Sequence, residues 1–220
     1  MSSTEKSVVL EEFAVIARAL GHVHRLEILE HLAQGERSVE GLAERVGLSI
    51  ANTSQHLQHL RRVGLAASRR EGKYVLYRLA DDSVVTALSA IRRVSERNVA
   101  RVERILSGAF DAGNAMEAIP RDELLARMQD GRVTLLDVRP PDEYSAGHLP
   151  AAVNIPLAEL EARIDELDPN HEIVAYCRGP YCVLSSEAVA ALRERGFTVR
   201  RLADGLPEWR AEGLPVETSG

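Results

Sequence analysis

No run in this 220-residue chain approaches the length needed to span a bilayer, and the opening residues, Met1 to Lys6, are polar rather than an apolar leader. A cytoplasmic protein with no membrane partner is the expectation. Cysteine is scarce: the two present, Cys177 and Cys182, do not make a zinc site by themselves. In a reducing compartment their spacing points to redox or sulfur chemistry more than to a structural staple. No metal and no cofactor are expected.

What is present suffices for two packed cores, since 45% of the residues are hydrophobic. Charge is unevenly divided: residues 1–110 hold 16 basic against 13 acidic side chains, and residues 111–220 hold 11 against 20. Only the first half suits an anionic polymer, although solvated charged faces are the usual origin of such asymmetry.

The first half reads as helices with one β interruption. Periodicity predicts helices over Glu5–Leu20 and His22–Ala33, separated by Gly21. Ser38 caps a short helix over Val39–Val46, ended by Gly47, and Ser49 caps another from Ile50 to about Val63. On the latter, Ile50, Thr53, Leu57 and Leu60 follow helical spacing toward a core. Ala51, Gln55, Gln58, His59 and Arg62 share the opposite face, with Asn52 at its margin.

Two short helices joined by Val46 to Ser49 make a helix-turn-helix whose outer face carries residue types that bond base edges and phosphates. Alternating strands over Leu65–Arg70 and Lys73–Leu79 then form a hairpin with basic residues at its tip, completing a winged helix-turn-helix. The residues expected at DNA are Ser49, Asn52, Thr53, Ser54, Gln55, Gln58, His59 and Arg62, with Arg69, Arg70 and Lys73 of the wing. The alternative for each alone is an ordinary solvated surface. Asp81–Ile105 reads as one long helix with an apolar stripe that a second copy would cover together with Phe13, Ile16 and Leu20, so a homodimer is expected.

Leu20 to Asp81 resembles the ArsR type of bacterial winged-helix repressors. The resemblance rests on His24 to Leu29, Leu42 to Ser49, Thr53 to Leu60 and Arg69 to Leu79. It implies a homodimer that binds double-stranded operator DNA and releases it on meeting an inducer, often a metal ion. Where metal sensors of this type carry Cys-x-Cys, this chain has Ser38 Val39 Glu40, and the predicted long helix has no His or Cys. His22, His24 and His31 read as surface or helix-end residues, with metal ligation the alternative, and His56 as a packed residue rather than a base reader.

Ser107 to Ala118 has two glycines and little periodicity and is taken as a linker between domains at 1–106 and 119–220. Beyond it strands and helices alternate. Helices are predicted over Arg121–Gln129, Leu157–Leu167, Leu184–Arg195 and Leu206–Glu212, and strands over Val133–Asp137, Ile173–Tyr176 and Thr198–Arg201. That pattern indicates an α/β domain on a parallel sheet, with its site beyond the carboxyl ends of the strands. The segment Tyr176 to Val183 is a strand–loop–helix transition there, and both cysteines lie in it. Loop N–H groups and a helix N-terminus favour a thiolate; two buried structural cysteines are the alternative.

Residues 120 to 215 resemble a single rhodanese domain. The matching segments are Leu135 to Arg139, Glu143 Tyr144, Gly147 to Pro156, Tyr176 Cys177 Arg178, and Asp204 Gly205 with Trp209. The resemblance implies that Cys177 accepts sulfane sulfur as a persulfide from a small donor: thiosulfate, a polysulfide or a persulfide. The N–H groups of Arg178, Gly179, Tyr181, Cys182 and Val183 are candidates to hold that persulfide, Pro180 having none. Arg178 either lowers the thiol pKa or attracts an anionic donor, or is a solvated loop charge. Asp137 and Arg139 are expected to brace the loop base by an ion pair. Cys182 is either a resolving thiol or a buried filler. Phosphatase chemistry is disfavoured because Val183 stands where an arginine would grip phosphate.

The whole reads as a transcriptional regulator, a repressor by resemblance, in which reactive sulfur alters operator binding. A sulfurtransferase that uses its first half to dimerise or localise is the alternative reading. A third is that the rhodanese-like half is an inactive interaction module.

Overall fold

Helix α1 (Ser3–Leu20) starts at a reciprocal cap: the Ser2 hydroxyl accepts from the Glu5 N–H, and the Glu5 carboxylate accepts from the Ser2 N–H. Gly21 ends it, and α2 (Val23–Ala33) follows with Ile28, Leu29 and Leu32 buried. The two-residue strand β1 (Arg37–Ser38) leads into α3 (Val39–Val46), where the Ser38 hydroxyl accepts from the Gly41 N–H. Gly47 closes α3 at φ 65°, a left-handed conformation that suits glycine, and its N–H satisfies the end carbonyls. Helix α4 (Ile50–Arg62) is capped by the Ser49 hydroxyl on the Asn52 N–H. Strands β2 (Ala66–Glu71) and β3 (Tyr74–Leu79) form the wing, and β1 pairs with the far side of β3 in an antiparallel sheet of order β1-β3-β2.

The computed structural model describes residues 2–109, 118–129, 131 and 133–219. The chain divides into two compact units, Met1–Leu88 and Ser89–Gly220, so the division falls inside helix α5 (Ser83–Asn98) rather than at the expected position near residue 106. The predicted long helix is two helices. Helix α5 ends at Asn98, with the Val99 N–H still reaching the Ser95 carbonyl at 2.9 Å, and α6 (Ala100–Ala109) begins after Val99, running three residues into the predicted linker. Residues 110–117, the rest of that linker before Ala118, lie outside the described residues.

In the second unit, strands β4 (Ala118–Ile119), β5 (Val133–Asp137), β6 (Val153–Asn154), β7 (Glu172–Tyr176) and β8 (Val199–Leu202) form a parallel sheet of order β4-β8-β7-β5-β6. Helices α7 (Arg121–Gln129), α8 (Pro141–Ala146), α9 (Val183–Glu194) and α10 (Leu206–Ala211) accompany it. One apolar layer gathers Leu136, Ile155, Ile173 and Leu192; the other gathers Leu124, Val174, Leu202 and Trp209. A sheet buried on both faces explains why its strands read as nearly continuous apolar runs.

The helix predicted over Leu157–Leu167 is instead two 3₁₀ turns, Leu157–Glu159 and Ile164–Glu166. Only one turn of chain forms at each before the backbone turns away, and i→i+3 bonds such as Leu160 N–H to Leu157 O suit so short a piece. Helix α8 was not foreseen; its six residues are too few for a periodic signal, although Pro141 at its start is the residue type that position favours.

Candidate DNA-reading face and sulfur loop

Within the first unit, α4 presents the face predicted from spacing. Asn52, Gln55, Gln58 and Arg62 are exposed, and Ser54 and His59 half-buried. Thr53 corrects the expectation: it is 0% exposed and its hydroxyl donates to the Ser49 carbonyl, so it packs the helix start and does not face DNA. Ile50, expected in the core, is 55% exposed. Ser49 spends its hydroxyl on the cap, and Ser54 accepts from Gln58 Nε2 at 3.2 Å.

On the wing, Arg70 reaches the Gly72 carbonyl and Lys73 lies over the Tyr74 ring, both exposed. Arg69 is also exposed, but Glu36 and Glu71 both hold it, so its charge is partly answered within the unit. Arg61, not singled out from the sequence, reaches the Ser68 hydroxyl at 3.2 Å from the end of α4.

Behind this face three imidazoles gather, which the sequence reading kept apart. The rings of His22 and His56 are 4.7 Å apart, those of His22 and His24 5.5 Å, and those of His24 and His56 6.0 Å. His24 Nδ1 is 3.0 Å from the Glu27 carboxylate, while His22 Nδ1 is buried without a hydrogen-bond partner. Burial holds the His56 pKa below the ordinary histidine value, helped by His22, Arg25, His24 and His59. The signal was an interaction between the start of α2 and the middle of α4, which spacing along one helix does not carry. Among the described residues no group of three or more His, Cys, Asp or Glu side chains is set to hold a metal ion.

In the second unit, β7 ends at Tyr176 and delivers Cys177 at the carboxyl edge of the sheet, where the topology places a site. The free thiolate expected there is instead a disulfide with Cys182, across a Cα separation of 6.2 Å. Cys177 is 1% exposed and belongs to the apolar layer with Val138, Ile155 and Ala175. Cys182 is half-buried and occupies the N-cap of α9. Its own N–H closes a turn onto the Gly179 carbonyl at 3.1 Å, and the Cys177 carbonyl accepts from the Leu206 N–H at 3.3 Å.

Arg178 is not a solvated charge. Its guanidinium forks onto the Glu143 carboxylate, with Nε–Oε2 at 2.9 Å and Nη2–Oε1 at 2.8 Å, and Glu143 is buried. Arg201 of β8 donates to the Pro180 carbonyl at 3.0 Å, and Gly205 lies so close to the Arg178–Gly179 backbone that a side chain would not fit. Glu208 accepts from the Gly205 N–H and pairs with Arg92 of α5 at 3.0 Å. Beside them Tyr181, exposed, hydrogen-bonds Glu96 of α5, with Arg92 over its ring at 5.8 Å; Val183 is exposed as well. Burial first, then the Glu208 charge, pushes the Asp204 carboxyl above its usual range.

Asp137 and Arg139, both fully buried, are paired: Nη2 meets Oδ2 at 2.6 Å, and the Arg139 N–H reaches Oδ1 at 2.9 Å. Arg139 also ties down the Gly147 carbonyl, and Asn154 donates to the carbonyls of both residues. Tyr176 Oη accepts from the Leu149 N–H, and burial, reinforced by the Asp137 charge, pushes its pKa far up. Glu143, Arg201 and Glu208 escaped the sequence reading as supports, because each works through a partner distant in sequence.

A winged helix-turn-helix joined to a parallel α/β unit with a two-cysteine loop at its carboxyl edge is the architecture of a winged-helix DNA-binding protein that carries a second, parallel α/β domain. Comparison with known proteins agrees. Residues 22–68 match the bacterial regulatory protein family arsR, and residues 120–212 match the rhodanese-like domain. The chain is 45% identical over 98% of its length, and 94% of the relative's, to HTH-type transcriptional regulator Rv0324 of Mycobacterium tuberculosis. It is 31% identical over 47% of its length, and 94% of the relative's, to a sulfurtransferase of Allochromatium vinosum. A homodimeric winged helix-turn-helix domain of Mb0332 from Mycobacterium bovis matches 45% of this chain and 92% of its own at 35% identity, with a TM-score of 0.42. The chain belongs to the ArsR-type HTH transcriptional regulators that carry a rhodanese-like domain.

Proposed function

We propose that this protein is an operator-binding regulator, a homodimer in the cytoplasm, whose DNA affinity follows the sulfur or redox state of the Cys177–Cys182 pair. Family membership supports the regulator, and no described helix is long and apolar enough to cross a membrane. The unpartnered apolar side chains of α1 and α5, among them Phe13 at 64% and Val94 at 61% exposure, support a second copy.

The observation that carries the switch is that the cysteine loop is tied to the part of α5 that lies in its own unit, from Ser89 onward, while the same helix begins at Ser83 in the winged-helix unit. Tyr181, next to Cys182, bonds Glu96, and Arg92 bridges to Glu208 beneath the same loop. Opening or closing the disulfide changes the loop between its two anchors. A ligand or modification shifts a binding equilibrium only by its differential interaction with the two states, so a coupling of about 1–3 kcal/mol is required. Disulfides in a reducing compartment are typically transient, catalytic or sensory, which suits that role.

The test is a gel shift on the DNA upstream of the protein's own gene, with and without an inorganic polysulfide. A donor-dependent change in affinity that is lost in Cys177→Ala supports the reading; an unchanged affinity in the wild type defeats it.

Similarity to a sulfurtransferase keeps a second reading, turnover of thiosulfate with cyanide. The 1% exposure of Cys177 opposes rapid turnover at that sulfur. Turnover lost in Cys177→Ala, together with no sequence-specific DNA binding, favours this second reading.

A further inference from the structure

Three histidines that neither the reading face nor the sulfur loop uses meet where the start of α2 packs on the middle of α4. His22 is the N-cap of α2, makes no side-chain capping bond, and buries its Nδ1 without a hydrogen-bond partner. Its ring centroid is 4.7 Å from that of His56 and 5.5 Å from that of His24, and the third separation is 6.0 Å. At that spacing, partly shielded from water, a second positive charge is strongly repelled. Glu27, 3.0 Å from His24 Nδ1, answers a charge on that ring. The charged groups that face His56 are His22, His24 and Arg25 from the α2 side and His59 from its own helix, all cationic or able to become so. Of the other elements packed on α4, α3 carries Glu40, Glu44 and Arg45 and β2 carries Arg69, Arg70 and Glu71, and all six are exposed.

The two sides of the cluster are held differently. Arg25 Nη2 donates to the Arg18 carbonyl at 2.8 Å and its Nε to the Ala19 carbonyl, which pins the start of α2 to α1. On the other side His56 precedes Leu57, which is wholly buried, so its ring cannot move far without shifting the seat of α4. We propose that the His22–His24–His56 cluster is a proton latch on the reading helix: charged at mildly acidic pH, its rings repel, α4 leaves its seat on α2, and the operator is released. The proposal rests on α4 as the DNA-reading helix and not on the sulfur chemistry. Burial and cationic neighbours disfavour a proton on His56 in the seated helix, so charging favours the displaced state while the operator favours the seated one. A histidine against phosphate acts in the opposite sense, because a polyanion favours the charged ring and binding then tightens as pH falls. The sign of the pH dependence therefore identifies the latch.

The test follows binding of the full-length protein to the DNA upstream of its own gene by fluorescence anisotropy, at fixed salt and with both cysteines kept reduced. It runs from about pH 7.5 to about pH 6, the range in which histidine changes charge, at a temperature where circular dichroism shows the protein folded throughout. Operator affinity is expected to fall about 5-fold or more over that range, and the fall to flatten in His56→Gln. Affinity that is unchanged, or that rises as pH falls, overturns the proposal, as does an equal fall in wild type and His56→Gln.

Because substitution of a packed ring can disturb folding, the reciprocal effect is read in the unsubstituted protein. If protons release the operator, the operator must resist protonation of the cluster by the same factor. The His56 imidazole resonance, followed by NMR, is expected to titrate at lower pH with operator bound than without it. Titration at the same or a higher pH overturns the latch, and absence of operator binding at every pH sinks it together with the regulator reading.

Discussion

Gly205 shows how one position holds the sulfur loop in shape. A Cβ there would collide with the Gly179 nitrogen and the Arg178 carbonyl carbon, both backbone atoms that cannot step aside without moving the loop. Gly205→Ala is therefore expected to destabilise the protein by about 1–3 kcal/mol, the range for overpacking a tight contact. A lowered urea midpoint with unchanged slope is the readout, and an unshifted midpoint contradicts the close approach. Asp137 and Arg139 act differently: their pairing answers two buried charges and orders the turn that leaves β5, while Arg139 also fixes the Gly147 carbonyl. Such a pair fixes geometry more than it adds stability, because desolvation offsets much of the attraction.

Among the elements, α4 carries both the face proposed to read DNA and one member of the histidine cluster, His56. Arg62 lies exposed at its end, and Arg62→Ala is expected to weaken binding to specific and non-specific DNA alike and to make the salt dependence shallower by about one unit of slope, measured by fluorescence anisotropy across a salt series. On the inner side, the folded-state pKa of His56 is depressed below its unfolded value of about 6.5. Well above pH ~6.5 the imidazole is neutral in both states and stability is complete; as pH falls through the unfolded value toward the folded one, the unfolded chain takes up the proton first and stability is lost. Thermal unfolding followed from about pH 8 down to about pH 5.5 is expected to show a falling midpoint that flattens in His56→Gln, and parallel profiles contradict it.

How far the elements were legible follows from the range of the forces that make them. Caps at Ser38 and Ser49, the stop at Gly47 and the alternating wing are local, and the structure places each where the spacing does. The break at Val99, the 3₁₀ turns after Pro156 and the short α8 depend on tertiary packing, and no periodic pattern announces them. In the candidate site the cysteine pair was legible as a cluster. The carboxylate that claims Arg178 and the meeting of His22 with His56 were not, since each joins residues more than thirty positions apart.

In the whole molecule, Tyr181 and Glu208 beside the cysteine loop are tied to Glu96 and Arg92, all within the second unit, on the helix α5 that begins in the winged-helix unit. The proposed switch requires that the oxidation state of Cys177 and Cys182 be felt at DNA. The most direct measurement is the operator affinity of one wild-type preparation, by fluorescence anisotropy at fixed salt, fully reduced and then converted to the disulfide. The two forms are expected to differ in dissociation constant by about 5-fold or more, the lower end of ordinary allosteric coupling, with the difference abolished in Cys182→Ala. Equal dissociation constants for the two forms contradict it.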